Sequence, residues 1–466
     1  MPPDLDTQFA RHREAFARQP FPAAAARKDL LGRLEALVKD HAGEWAEAIS
    51  RDFGGRSRHE TELLEVFPSL EGIRHARAHL RRWMKPERRS TSLWFLPGRS
   101  AVVPQPLGVV GIVVPWNYPL YLAIGPLVPA LAAGNRAMVK MSETTPATGE
   151  LLARLAAQHF PGGEVTVVNG GPDVAQAFCR LAFDHLLFTG SSGVGRHVMR
   201  AAAENLTPVT LELGGKSPAI VGRGFPVAEA AGRVMFGKCL NAGQTCIAPD
   251  YALVPEESVA AFVDAARAAV ASLYPTLAAN PDYTAIVDDR HRDRLARLLA
   301  DALARGARAH EINPAGEDVA AAGKRAPTIL TGVDGSMAVM REEIFGPLLP
   351  VVPYRTLDEA IGFVNARPRP LALYVFEHDG AAVDRVIANT VSGGVAVNET
   401  IVHIAQDDLP FGGVGESGMG RYHGREGFDT FSQRKAVFRQ SRLNGLKLFR
   451  APYGKRFEAL VRLLLR

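Results

Sequence analysis

Between residues 101 and 213 short apolar runs alternate with helical stretches, and this alternation narrows the available folds more than any other feature of the chain. "LGVVGIVVP", "RAMVKMS", "EVTVVNG", "HLLFTG" and "PVTLELGG" read as strands, with amphipathic stretches such as "PATGELLARLAAQHF" between them. That pattern predicts parallel βαβ units. A second alternating series follows Cys246, through "YALVPEESVAAFVDAARAAVASL", "RHRDRLARLLADALARGA" and "RPLALYVFEHD". It predicts a second α/β domain, with the glycine-rich "LELGGKSP" near the boundary. The first eighty or so residues carry apolar positions at helical spacing and predict helices that pack on something else. "NPAGEDVAAAGKRAP", at 313–327, reads as a surface loop.

At 466 residues and 47% hydrophobic, the chain has material for two or three domains with their own cores. The net charge of +5 is a small excess of base spread over a large molecule, so nucleic-acid binding is not implied. Three cysteines, Cys179, Cys239 and Cys246, without a CxxC pair, do not make a disulfide framework and favour a reducing, cytoplasmic setting. The N-terminal stretch lacks the apolar segment of a secretory signal, and no run reaches the roughly 18 apolar residues of a membrane span.

The stretch "LNAGQTCIAPDY" poses the chemical question. A lone intracellular cysteine is more often a packing residue than a nucleophile. A glycine- and amide-rich turn, however, suits presenting a thiol where backbone N–H groups are free to stabilise a thiolate or an oxyanion. Cys239 and Cys179, in helix-like stretches, read as packing residues. "FTGSSGVGR" follows an apolar strand and opens a helix, a weak signal for phosphate binding that a plain tight turn would also give. "VKMSETTP" ends another strand with Lys140 and Glu143, either a ribose-binding pair or a capping box before the next helix.

Taken together in order, "PWNYP", "VKMSETTP", "FTGS", "LELGGKSP", "NAGQTC" and "EEIFGP" resemble the NAD(P)-dependent aldehyde dehydrogenase superfamily, with similarity continuing to about residue 440. The branch is class 3-like and resembles the coniferyl aldehyde dehydrogenases. The resemblance implies an α/β fold with a Rossmann-type cofactor domain (1–84 and 105–212), an α/β catalytic domain (213–398) and a small oligomerisation arm (85–104 and 399–440). A basic amphipathic tail (441–466) follows.

The resemblance makes Cys246 the nucleophile that attacks the aldehyde carbon. Asn117, with the backbone N–H of Cys246, holds the oxyanion, and Glu212 activates the water that releases the acid. Flanked by leucines and glycines, Glu212 is expected to be desolvated, with its pKa raised toward that of a useful base. For the cofactor, the resemblance assigns Lys140 and Glu143 to the adenosine ribose, and Gly190 and Ser191 to the pyrophosphate turn. Glu343 falls to the nicotinamide ribose and Phe345 to the nicotinamide. Glu143 repels a 2′-phosphate, so NAD is the first choice, with NADP open because Lys140 offsets that charge. The usual proline after the lysine is Met141 here, and Gly193 stands where other branches carry glutamate.

Trp116, Tyr118 and Tyr121 either line an aromatic funnel or belong to the core; aromatic and medium-chain aldehydes are the expected substrates. His403 and His423 lack metal-ligand spacing and no metal is expected. Arg81, Arg82, Lys85, Arg88 and Arg89 read as a solvated face. A homodimer is expected through the arm. The tail carries seven basic residues and one acidic, with Phe457, Leu460, Val461 and Leu464 at helical spacing. Packing on the partner subunit is preferred for it over an anionic membrane surface. Two other enzyme classes stay open: a CoA-acylating dehydrogenase, which has no need of Glu212, and a thiol esterase or hydrolase, which has no need of the nucleotide motifs.

Overall fold

The computed structural model describes residues 4–465. The first alternating series forms one sheet of lateral order Gly418–Met419, Val209–Leu213, His185–Gly190, Val109–Val113, Arg136–Lys140 and Val165–Val168. All pairs are parallel except the first, where Gly418 stands opposite Glu212. The chain starts in the middle of this sheet, runs to one edge and returns to build the other. Strand order therefore reverses between Val109–Val113 and His185–Gly190, and a crevice opens beyond their carboxyl ends, the usual place for a ligand in an open parallel sheet.

The second series forms a seven-stranded sheet of order Arg308–Glu311, Thr328–Thr331, Leu348–Tyr354, Tyr251–Pro255, Pro218–Val221, Ala372–Phe376 and Gly394–Val397. Only its first pair is antiparallel. A third, antiparallel sheet joins Glu87–Arg89, Arg99–Pro106 and Ser432–Arg439. The segment 399–440 thus divides between two sheets, since Gly418–Met419 lies beside Glu212 rather than in the three-stranded sheet.

The apolar strand runs are as enclosed as their composition demands: Val109, Val110 and Ile112 are fully buried. The N-terminal helices cover the first sheet. Leu5–Arg18 sets Phe9 edge-on to Phe183, with ring centroids 5.2 Å apart. Ala24–Lys39, Ala42–Phe53 and Phe67–Trp83 pack around Tyr121–Ala133 and Pro146–His159. Tyr121–Ala133 is apolar on nearly every face and correspondingly enclosed.

The capping-box alternative for 142–146 does not hold. Thr145, the N-cap of Pro146–His159, makes no capping bond. Asp52, from a helix almost a hundred residues earlier, accepts from the amides of Ala147 and Thr148, both at 2.9 Å. Glu143 is left half exposed and uncommitted to the helix end. Residues 313–327 carry neither helix nor strand. In the tail, Lys455–Leu464 is a helix with no buried residue.

Candidate active site and cofactor cleft

The loop leaving strand Val109–Val113 carries Asn117 into the crevice, and a buried ion pair holds it there. Arg56 and Glu65, both from the N-terminal helical region, lie 2.7 Å apart with neither side chain exposed. Arg56 also donates to the Asn117 carbonyl at 3.0 Å, while Glu65 accepts from the amides of Leu120 and Tyr121 at 2.8 and 3.0 Å. The Arg56 guanidinium lies over the Tyr118 ring at 4.7 Å. Removing one member strands a buried charge. Arg56→Ala is therefore expected to lower unfolding stability by about 3–5 kcal/mol, read as a shift of the urea midpoint at unchanged slope.

The cysteine loop is the most strained backbone in the site. Asn241, Ala242 and Gly243 follow one another at φ of 50°, 51° and 76°. Glu60 receives the Asn241 amide at 3.1 Å and the Thr284 hydroxyl at 2.7 Å. The Gln244 side chain donates to the carbonyls of Asn241 and Ala285 and accepts from Val287. Gly243 has no alternative, because a Cβ there would collide with the Gly346 carbonyl of "EEIFGP". Asn117 Nδ2 donates to the Gln244 carbonyl at 3.2 Å, and the Tyr118 and Thr245 hydroxyls lie 2.7 Å apart. The amide of Asn117 thus stands beside the loop that ends in the half-buried Cys246.

Glu212 sits on the strand between His185–Gly190 and Gly418–Met419, opposite Thr189 on one side and Gly418 on the other. It is buried, and neither carboxylate oxygen has a hydrogen-bond partner among the described residues. Burial pushes its pKa up to about 7, opposed by the nearby Thr189 hydroxyl and Cys246 thiol. The expectation of a desolvated carboxylate matches this environment.

Burial raises the Cys246 pKa well above its ordinary value, and the charges of Glu212 and Glu343 raise it further. A backbone N–H at Cys246 acts in the opposite sense and lowers it. Cys179 and Cys239 are more deeply enclosed, pushed up by burial to about 11 and 12.

A second group of residues lines a cavity of about 550 Å3 that reaches from Ser192 past Gly214 and Gly215 to Glu343. Gly190 ends its strand, and Ser191 caps the helix Ser192–Ala203 by accepting from the Val194 amide at 3.4 Å, so amides of the first turn face the cavity end. Gly193 faces open space, so a side chain at this position would have room. Glu343 has a buried carboxylate oxygen without a partner, and burial together with Asp250 pushes its pKa up to about 8. A Cβ on Gly214 would overlap that carboxylate.

The loop bearing Glu343 is fixed by residues that sequence reasoning did not single out. Lys216 pairs with Asp250 and donates to the carbonyls of Val339 and Glu342, at 2.6 and 2.9 Å. Asp250 accepts from the Ile344 amide at 3.0 Å, and Arg294 donates to the Ile344 carbonyl at 2.7 Å. Phe345, at φ 51°, meets the Trp116 ring edge-on at 5.3 Å. Trp116 also meets His291, at 4.7 Å.

Lys140 and Glu143 lie apart from this cavity, at the carboxyl end of strand Arg136–Lys140. Lys140 is buried and donates to the carbonyls of Met141 and Gly170 at 2.6 and 2.8 Å, with Glu143 4.0 Å away. Tyr118 belongs to the core, whereas Tyr121 is half buried with its hydroxyl 3.4 Å from His423 Nε2. No cluster of three potential metal ligands occurs among the described residues.

A buried base, a thiol and an adjacent amide donor beside a phosphate-sized helix terminus suit oxidation through a covalent thioester. The cleft has the chemistry a dinucleotide calls for: a buried carboxylate oxygen without a partner among the described residues, a glycine wall at Gly214 and Gly215, and the start of the Ser192–Ala203 helix.

The chain is similar to a probable coniferyl aldehyde dehydrogenase of Pseudomonas aeruginosa, 55% identical over 98% of this chain and 95% of the relative. To a coniferyl aldehyde dehydrogenase of a Pseudomonas species it is 48% identical over 99% of this chain and 96% of the relative. Among solved structures, the substrate-bound Staphylococcus aureus AldH superposes with a TM-score of 0.92 at 38% identity, covering 99% of both chains. An indole-3-acetaldehyde dehydrogenase of P. syringae in complex with NAD+ superposes at 0.85, with 27% identity and 94% and 89% coverage. The aldehyde dehydrogenase family model matches residues 3–437, the span holding both sheets, the cysteine loop and the cofactor cleft, and the chain belongs to that family of NAD(P)-dependent enzymes oxidising aldehydes to acids.

Proposed function

We propose that the enzyme oxidises aromatic aldehydes of the coniferyl type to carboxylic acids, with Cys246 as nucleophile, Asn117 as oxyanion donor and Glu212 as general base. The observation that carries the residue roles is the mutual exposure of Glu212 and Cys246, each shifting the other's proton equilibrium, beside the Asn117 amide. Attack of sulfur on the carbonyl carbon forms a thiohemiacetal, and the thiol proton leaves to solvent. The second N–H of the Asn117 amide and the Cys246 backbone N–H receive the developing oxyanion. NAD+, when bound, would supply the hydride acceptor that turns the thiohemiacetal into a thioester. The resulting thioester is hydrolysed by water whose proton Glu212 takes and hands to the departing sulfur, which releases the acid and restores both the thiol and the base. Asn117→Ala is expected to lower kcat by about a hundredfold with NADH affinity unchanged, measured by steady-state kinetics and fluorescence titration.

In this reading Lys140 and Glu143 hold the adenosine ribose, Gly190 and Ser191 the pyrophosphate, Glu343 the nicotinamide ribose, and Phe345 positions the nicotinamide. The half-exposed Glu143 favours NAD over NADP. The names of the Pseudomonas relatives support coniferyl aldehyde as the substrate, and the half-buried Tyr121, its hydroxyl 3.4 Å from the buried His423, offers a polar group to an aromatic guest. The arm sheet, with exposed Leu93, Trp94, Phe95 and Phe438, supports a homodimer. Three unpaired cysteines support a reducing cytoplasmic setting.

The test is oxidation of coniferyl aldehyde, benzaldehyde and a medium-chain aldehyde with NAD and no CoA, followed through the reduced nicotinamide. Coniferyl aldehyde is expected to give the highest kcat/KM. Absence of turnover without CoA would favour acylating chemistry, and hydrolysis of thioesters without redox change would favour a thiol hydrolase.

A further inference from the structure

The pyrophosphate turn carries a puzzle in its charge. Gly190, Ser191, Ser192 and Gly193 are neutral, and the nearest cation on that helix, Arg196, lies 4.0 Å from Glu416. Helix-end amides supply only partial charge, while a dinucleotide's pyrophosphate carries two negative charges.

The cavity is also lined by Arg367, Pro368 and Arg369 of "RPRP", residues 367–370. Proline fixes its own φ near −65° and holds the residue before it extended, so Arg367 and Arg369 belong to a stiff extended segment. Arg367 is anchored, its guanidinium 3.3 Å from the Phe363 ring centre and donating to the Phe363 carbonyl at 2.7 Å. Arg369 is exposed and makes no hydrogen bond or ion pair with any described residue. Arg341, also lining the cavity and exposed, is equally uncommitted. Lys216 on the same lining is engaged by Asp250.

The packing puts Arg369 within reach of the helix terminus. Its Cδ is 3.6 Å from where a Cβ on Gly415 would stand. The next residue, Glu416, accepts through its carbonyl from the Ser192 hydroxyl at 3.0 Å, and Ser192 is the first residue of the phosphate-facing helix. Two acidic side chains, Glu343 and Glu416, share the cavity lining without pairing with Arg369 or Arg341.

We propose that Arg369, seconded by Arg341, closes the cofactor cleft by binding the pyrophosphate of NAD beside the start of the Ser192–Ala203 helix. Guanidinium forks suit adjacent phosphate oxygens, and a prolyl segment presents the side chain with little backbone entropy left to lose. The inference rests on the assignment of NAD as cofactor and adds residues to its site that the family motifs do not include.

The test is equilibrium titration of the full chain with NADH by fluorescence, with ADP-ribose and AMP as competitors. In Arg369→Gln, NADH and ADP-ribose should bind about tenfold more weakly at low ionic strength, and the loss should shrink in high salt. AMP, which lacks the second phosphate, should change by less than about twofold, and Arg369→Lys should recover part of the affinity. Arg341→Gln should show a smaller loss with the same ligand pattern. NADH and ADP-ribose affinities within twofold of the parent would overturn the proposal while the cofactor assignment stands. Equal weakening of AMP would overturn it too, since that reports a general field rather than a clamp on the pyrophosphate. Failure of the parent itself to bind NADH would remove the cofactor assignment, and the clamp with it.

Discussion

Cys246→Ala is expected to abolish aldehyde oxidation, with kcat falling by about 10⁴-fold or more, while NADH binding and the urea midpoint stay close to those of the parent. The size of the effect follows from the absence of a substitute nucleophile. Cys239 is fully buried in its helix and Cys179 almost so, and burial holds both thiols protonated, at about 12 and 11. Neither faces Glu212. Cys246→Ser is expected to be nearly as inactive, because a hydroxyl opposite two carboxylates is a far worse nucleophile than a thiol. Stability should change little, since the strained turn before Cys246 is held by Glu60 and Gln244 through backbone groups rather than by sulfur. Turnover within about tenfold of the parent would reject Cys246 as nucleophile and, with it, the thioester route.

The same site shows what a sequence can and cannot disclose. The alternating strands and helices and the glycine-rich turn at 190 are local patterns, and the structure realises them as the strands of the two large sheets and the start of the Ser192–Ala203 helix. The braces were invisible because they are not local. Arg56, Glu60 and Glu65 are single charges in an N-terminal helical region, where a charge is usually solvated. Only tertiary contact with Asn117, Asn241 and Leu120 shows them to be buried. Asp52 was hidden in the same way, and its distant cap made the local capping-box alternative at 142–146 wrong. Lys216 stands inside an ordered motif and Asp250 just past another, yet their pairing joins two segments 34 residues apart. The setting of Cys246 is non-local in the same sense: burial, and then the charges of Glu212 and Glu343, which no sequence spacing brings near the sulfur, raise its pKa.

Glu212→Gln should separate the two halves of the reaction and expose the cost of keeping a base buried. Hydride transfer needs Cys246 and cofactor, whereas release of the acid needs a proton taken from water. The variant should therefore still give a burst of NADH approaching one equivalent per site, followed by steady turnover reduced about 10²- to 10⁴-fold. In the parent, the hydrolytic step should gain rate as pH rises through about 7, where Glu212 loses its proton, and the variant should lack that limb. Stability moves in the opposite sense. A carboxyl whose pKa is higher folded than unfolded contributes fully below the unfolded value, near 4.5, and its contribution is lost as pH rises through the folded value of about 7. Above that range the parent carries a buried carboxylate with no hydrogen-bond partner. Glutamine stays neutral throughout, so the variant should be more stable than the parent at pH 8 by a few kcal/mol, because each pH unit between the folded and unfolded pKa values is worth roughly 1.4 kcal/mol. The difference should close toward pH 5. Glu343 and the other buried carboxyls titrate in both proteins, so the difference between their urea midpoints isolates Glu212. A variant that loses the burst along with turnover would place Glu212 in thiol activation as an indispensable base. Equal stability at pH 8 would mean that water or another group already solvates the carboxylate.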